Sequence, residues 1–224
     1  MKLCIILFVL YLANSSVFAQ TAASVSGFQP YSALQNYQIG RELEGRNQMN
    51  EAIPYYNEAI RRCMDEISSE TATSESYVIL TWILTRQERY SEVIQWGERG
   101  LRANTDYRLI ETMGEAYFYL KDYERALNCM QRYVNALPQG STTATAYFFV
   151  GEIYHLTQRF FHADIAYTTA VKLNPNNSSW WYRLGLSREA AGEPVQAIKA
   201  YEQAIKLNPR NQQARDALDR ATRG

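Results

Sequence analysis

Apolar and small residues recur along most of this chain at a spacing that fits helices, and the whole pattern then repeats. The stretches from Tyr147 to Pro175 and from Trp181 to Pro209 carry the same residue types at matching positions. Each has an aromatic residue, a glycine, an alanine, a tyrosine, another alanine and a final Asn-Pro. The two prolines lie 34 residues apart. A repeat of this length predicts pairs of helices that stack one pair upon the next.

Each recurring position has a physical reason within such a pair. The positions of Gly151 and Ala163 fit places where two helices cross closely, because a larger side chain would push them apart. The aromatic positions fill the space between helices. Pro175 stands where the second helix must stop, because a proline ring cannot continue the hydrogen-bond ladder.

The frame extends towards the N-terminus with decreasing fidelity. The last three units keep most recurring positions, whereas the second has Thr81 in place of the glycine and the first has Asn36 in place of the aromatic residue. The segment 212–224 is polar with one small apolar face, which predicts a capping helix that closes the last unit. The predicted repeats lie near 33–66, 74–106, 107–140, 144–177 and 178–211.

The period and these residue positions resemble the tetratricopeptide repeat. The resemblance implies an all-α fold, a right-handed superhelical solenoid of about five helix-turn-helix units plus a C-terminal capping helix. It also implies that the first helices of all units line a concave groove, which holds an extended or helical segment of a partner protein.

Projection of the sequence onto that frame gives a set of groove residues expected to bind the partner. The set is aromatic, with more acids than bases in its C-terminal half, although each aromatic ring has an alternative role in packing between helices. As a hypothesis, Glu111, Glu115 and Glu152 select positive charge on the ligand. The full set is Tyr37, Arg41, Val78, Trp82, Arg86, Arg108, Glu111, Glu115, Phe118, Tyr119, Phe148, Glu152, His155, Tyr182 and Glu189.

The N-terminal segment differs from the rest of the chain. Lys2 precedes an almost wholly apolar run from Leu3 to Leu12. The segment then ends in a small residue, Ala19, at the position where a signal peptidase would cleave. This layout predicts a signal peptide at 1–19 followed by a flexible leader at 20–32, and therefore secretion across the inner membrane, with the bacterial periplasm as the expected location. The alternative is a retained membrane anchor, although the run is shorter than the roughly 20 residues that a span needs.

The charge balance and the reactive residues point to few further kinds of function. Basic and acidic residues both number 23, so nucleic acid is not an expected partner. Cys63 and Cys129 are predicted to be free, buried thiols, because an intervening repeat separates them. His155 and His162 lack the spacing of paired metal ligands, and neither a cofactor motif nor a catalytic motif is found.

These features predict a non-enzymatic protein–protein interaction scaffold that acts outside the cytoplasm and holds a peptide or helix in its groove. No direct membrane span is expected after removal of the signal peptide, and self-association is left open. One alternative is an accessory subunit of an envelope transport or secretion complex. Another is a small-molecule or metal binder that uses the groove.

Overall fold

The computed structural model describes residues 31–223, and all regular secondary structure in that range is helical. The all-α prediction is therefore confirmed for this range. The predicted signal peptide and the leader up to residue 30 lie outside the described residues. The helices are α1 (Ala33–Gly45), α2 (Met49–Ser68), α3 (Ser74–Arg86), α4 (Tyr90–Ala103), α5 (Tyr107–Tyr119), α6 (Tyr123–Ala136), α7 (Thr143–Leu156), α8 (Phe160–Leu173), α9 (Ser178–Ala190), α10 (Pro194–Leu207) and α11 (Gln212–Arg223).

None of the helices between residues 31 and 223 combines the length and the apolar character that a bilayer crossing requires.

The chain divides into two compact units, and the boundary between Ile83 and Leu84 falls within α3. In the first unit, α1 packs against α2. In the second unit, α5 to α10 form three helix pairs, each packed against the next, and α11 packs against α10.

A single residue in the left-handed conformation makes the turn between the two helices of each pair. This residue lies seven positions after the repeat glycine or its replacement, with φ of 63° at Asn47, 58° at Glu88, 64° at Lys121, 58° at Gln158 and 80° at Gly192. The second repeat has lost its glycine to Thr81 but keeps the turn at Glu88. The backbone therefore preserves the repeat where the sequence has drifted.

Three of the repeat glycines lie directly beneath aromatic rings of the second helix. A Cβ atom at Gly151 would come within 2.6 Å of the Tyr167 ring, and one at Gly40 within 2.7 Å of the Tyr56 ring. Gly185 makes the same kind of contact with Tyr201. These tyrosines are buried, so the glycines allow the two helices of a pair to approach.

We expect Gly151→Ala to lower the free energy of unfolding by about 1–3 kcal/mol, because the added methyl group must displace a buried ring. Chemical denaturation followed by circular dichroism measures the change. The control is Gly45→Ala, at a helical glycine with no neighbouring atom within 4 Å. That change is expected to be neutral or to stabilise by up to about 1 kcal/mol. A similar loss in both variants would contradict the packing argument.

The two cysteines within residues 31–223 lie in the interior of the protein. Cys63 and Cys129 are both free and buried, so the prediction made for them is confirmed. Burial raises the pKa of the Cys63 thiol to about 12, which keeps it protonated.

On α11, Ala214 and Ala217 are buried while most of the remaining side chains face solvent.

Candidate functional site

Side chains on the first helices of the second unit form a continuous row from α5 to α9. The Phe118 ring of α5 meets the Phe149 ring of α7 edge to face at 5.0 Å. The Phe148 ring of α7 stacks on the Trp180 ring of α9, also at 5.0 Å, with the planes 12° apart. These contacts show that the rings of α5, α7 and α9 adjoin one another, so aromatic packing ties the three helices together.

The carboxylate of Glu152 is occupied by the protein itself. Arg183 donates two hydrogen bonds to it, from Nε at 2.5 Å and from Nη2 at 2.6 Å, and the Tyr167 hydroxyl donates a third at 2.5 Å. Both charged side chains are largely buried. This ion pair leaves no free charge for a partner, which removes Glu152 from the acids expected to select a cation.

Two further repeats also tie a first-helix carboxylate to a second-helix tyrosine, although their acids lie four residues after the repeat glycine and Glu152 lies directly after it. Tyr56 donates a hydrogen bond to Glu44 at 2.6 Å in the first unit. Tyr201 donates one to Glu189 at 2.6 Å in the last repeat, where Arg220 contributes a weaker ion pair at 3.2 Å. The tyrosine in every case is the ring that lies over the repeat glycine. In three repeats, a tyrosine of the second helix therefore helps to hold a carboxylate of the first helix.

The third repeat has an acid on its first helix but lacks this tyrosine. Met130 replaces the tyrosine, and its methyl group would lie 3.0 Å from a Cβ atom at Gly114. Glu115 follows that glycine directly, as Glu152 follows Gly151. Because a methionine has no hydroxyl group, it cannot donate the hydrogen bond that Tyr167 gives to Glu152.

A second unpaired acid, Glu111, lies one helical turn before Glu115. Its side chain is only 8% exposed. Within residues 31–223, neither carboxyl group forms a hydrogen bond or an ion pair with another residue. In the same range, the only side-chain oxygen or nitrogen atoms buried without a partner are on Asn36 and His155, so the Glu111 oxygens keep some contact with solvent.

The environment of these two acids favours their neutral forms. Burial, and next the charge of Glu115, raise the pKa of Glu111 to about 8. Burial also raises the pKa of Glu115, while the exposed Arg86 acts in the opposite direction. A cation placed between the carboxyl groups would favour the ionised form of both acids, of which only Glu115 is influenced by Arg86.

An exposed aromatic surface continues from the two acids along the same helix. Tyr119 lies four residues after Glu115, on the same side of α5. Its ring is 47% exposed and stacks on Tyr90 of α4 at 4.8 Å with the planes 16° apart. The two acids and this tyrosine pair form what we call the α5 site, defined by Glu111, Glu115, Tyr119 and Tyr90.

The residues predicted in the first unit contribute less surface than expected. Val78 is fully buried in the core, so its side chain presents no surface to a partner. Tyr37 is also buried, with its ring 5.4 Å from that of Trp82. Its hydroxyl accepts a hydrogen bond from the exposed Arg41 at 3.3 Å.

The remaining predicted residues mostly serve local packing. Arg108 pairs with Asp106 at 2.8 Å. The Tyr182 ring lies 6.0 Å from that of Tyr201 and is partly buried. His155 packs against Phe160 at 5.4 Å, and burial, followed by the charge of Arg183, lowers its pKa.

Possible metal ligands do not cluster in the part of the chain that the structure describes. Within the described residues, no group of three or more histidine, cysteine, aspartate or glutamate side chains is placed to hold a metal ion. Sequence reasoning missed Arg183 and Tyr90. The 34-residue frame places Arg183 on a first helix beside the repeat that carries Glu152, which was the available signal.

Comparison with known protein families agrees with this architecture. Family models described as tetratricopeptide repeat match residues 36–63, 112–140, 144–177 and 178–211, which together cover more than half of the sequence. The chain belongs to the tetratricopeptide repeat family.

Solved structures show the same fold. YrrB, described as a TPR protein with an unusual peptide-binding site, aligns with a TM-score of 0.57 at 19% identity, covering 83% of this chain and 91% of YrrB. MamA from Desulfovibrio magneticus RS-1 aligns with a TM-score of 0.60 at 19% identity, covering 80% of this chain and 96% of MamA. The predicted solenoid fold is thereby confirmed. Among curated proteins, no sequence matches this chain.

Proposed function

We propose that this protein is a non-enzymatic interaction scaffold that acts outside the cytoplasm and binds a basic segment of a partner protein at the α5 site. The observation that carries the proposal is the pair of unpaired carboxyl groups on Glu111 and Glu115. Family membership supports the coarser role, because tetratricopeptide repeats are protein-interaction scaffolds. The charge of the partner is inferred from the site.

Unpaired acids in a largely buried position are costly for a folded protein. Burial of a carboxylate without a partner is unfavourable, and such groups are normally paired or protonated. Three other repeats each hold a first-helix carboxylate with a tyrosine, as Tyr56 does for Glu44. A lysine or arginine side chain from a partner would supply the missing charge to Glu111 and Glu115. The exposed face of Tyr119 would add a cation–π contact beside them.

Location and the type of assembly are separate parts of the proposal. The sequence pattern at 1–19 supports export, and the bacterial periplasm remains the proposed location. An accessory subunit of an envelope transport or secretion complex would use the same α5 site to hold a partner protein. A metal ion is a weaker candidate, because the two carboxyl groups offer fewer ligands than a hard cation requires.

Binding of basic peptides tests the charge of the partner. We expect the purified chain to bind a library of lysine- and arginine-rich peptides and to reject an acidic library of the same length, as measured by fluorescence polarisation. The double variant Glu111→Gln with Glu115→Gln should lose at least about tenfold in affinity, because both charges that attract the cation are removed. Glu202→Gln, on the exposed surface of α10, is the matched control and should change nothing. Equal binding of the two libraries, or full affinity in the double variant, would reject the proposal.

The same experiment has a pH dependence with a definite sign. Because the pKa of Glu111 is raised to about 8, the free site is partly protonated at neutral pH. Binding of a cation requires the ionised form, so affinity should rise with pH up to about 8 and then level off, by at most about tenfold per pH unit. Lysine and arginine keep their charge over this range.

A further inference from the structure

An apolar patch on the second helices of the last two repeats is exposed and has no role in the α5 site. It consists of Phe161 and Ile165 on α8 and Val195 on α10, which are 66%, 67% and 61% exposed. Phe161 and Ile165 are one helical turn apart and therefore share a face. Phe161 and Val195 occupy the same position in successive repeats.

The second helices of the first three repeats have polar residues at the position of Phe161. The residue two positions before the conserved small residue is Asn50 in α2, Ser91 in α4 and Glu124 in α6. These side chains are hydrophilic, and α4 and α6 also have amides, Gln95 and Asn128, where α8 has Ile165. The position of Phe161 and Val195 is therefore apolar only in the last two repeats, as expected for a contact surface and not for a general feature of the fold. The position of Ile165 is Pro54 in α2 and Lys199 in α10, so Ile165 extends the patch on α8 alone.

Charges beside the apolar patch are complementary between its two helices. Arg159 directly precedes α8 and Glu193 directly precedes α10, again at the same position of successive repeats. Within residues 31–223, neither side chain has an ion-pair partner, although the Arg159 guanidinium lies 4.6 Å from the centre of the Tyr154 ring. One helix thus offers a positive charge at the point where the other offers a negative one.

We propose that two copies of this chain associate through the outward faces of α8 and α10. Rotation by 180° about an axis parallel to these helices places α8 of one copy against α10 of the other. Phe161 then meets Val195 of the second copy, and Arg159 meets Glu193 of the second copy, and each contact occurs twice. Such a self-complementary arrangement is what a two-fold interface requires.

The size of the surface sets the strength to expect. Each helix has 14 residues and is therefore about 21 Å long. An interface of two such helices per copy falls at the small end of specific interfaces, so the dimer should be weak and should depend on concentration. Sedimentation equilibrium of the full chain, from roughly 1 μM to roughly 1 mM, covers the range in which a complex of this strength forms.

Two sets of variants test whether this surface is the interface. The double variant Phe161→Ser with Ile165→Ser should weaken dimerisation by at least about tenfold, because it removes the apolar centre of the contact. Leu156→Ser, at an exposed leucine of α7, is the matched control and should leave the dimer unchanged. Circular dichroism confirms that each variant is folded, which these exposed positions should allow.

Charge exchange identifies the second copy as the occupant. Arg159→Glu alone and Glu193→Arg alone should each weaken the dimer by about threefold or more, whereas the two changes together should restore it. Restoration is expected only if the two side chains face each other across the interface. A monomer at all concentrations, a dimer insensitive to the serine double variant, or a failure of the double exchange to restore association would overturn the proposal.

Discussion

Replacement of Glu111 by glutamine is expected to stabilise the protein at neutral and alkaline pH. In the folded chain the pKa of Glu111 is raised to about 8, from 4.5 for an ordinary glutamate. Between these values the folded state holds a proton that the unfolded chain has released, so the stability of the native protein should fall as pH rises through this window. The loss is on the order of 5 kcal/mol once pH exceeds 8, because the pKa difference of about 3.5 is worth about 1.4 kcal/mol for each unit.

Urea denaturation at pH 5, 7 and 9 measures this effect. We expect the variant and the native protein to be similar in stability near pH 5 and to diverge as the pH increases, since glutamine cannot ionise. Glu202→Gln, at an exposed acid, provides the control and should follow the native curve. Parallel curves for the native protein and Glu111→Gln would show that Glu111 does not hold a proton in the folded state.

Replacement of Arg183 by methionine is expected to cost about 3 kcal/mol of stability. The change keeps most of the length of the side chain but leaves the carboxylate of Glu152 largely buried with only the Tyr167 hydroxyl as a partner. The loss of one member of a buried ion pair is costly because the other charge remains desolvated. Thermal and chemical denaturation provide the measurement.

The contrast with an exposed pair makes this test specific. Arg220 also pairs with a carboxylate that receives a tyrosine hydrogen bond, but its side chain is 58% exposed. Arg220→Met should therefore cost less than about 1 kcal/mol. Restoration of stability when Glu152→Gln is combined with Arg183→Met would show that the uncompensated charge is the cause. Equal costs for the two arginine variants would contradict the assignment.

The sequence predicted the helices well because their pattern repeats. A 34-residue period places most small residues and rings of the last three repeats in register, so the approximate location of first and second helices follows from one alignment. The same frame predicted that Cys63 and Cys129 stay apart and remain free thiols, as the structure shows. Local rules of packing and helix termination are sufficient for this part of the prediction.

Side-chain pairing and burial at the site were less predictable. Val78 and Glu111 occupy equivalent positions of successive repeats, and both are almost fully buried. The repeat register alone therefore predicts that both are groove residues. In the structure the valine is part of the apolar core, whereas the acid is buried without a charged partner. The bond between Glu152 and Arg183 joins residues 31 positions apart in different repeats, and the repeat pattern does not specify which polar neighbours will meet.

The substitution of Met130 for tyrosine has a consequence for how a repeat array acquires specificity. Met130 lies on a second helix, behind the first-helix surface that carries Glu111 and Glu115. Its effect is to withhold a hydroxyl group, and this leaves Glu115 without the internal bond that its counterpart Glu152 enjoys. Phe149 stands at the position that Arg183 occupies in the next repeat, so Glu115 lacks counterparts of both residues that hold Glu152. Recognition in such a protein can thus evolve when the residues that hold an acid are replaced while the acid itself is kept.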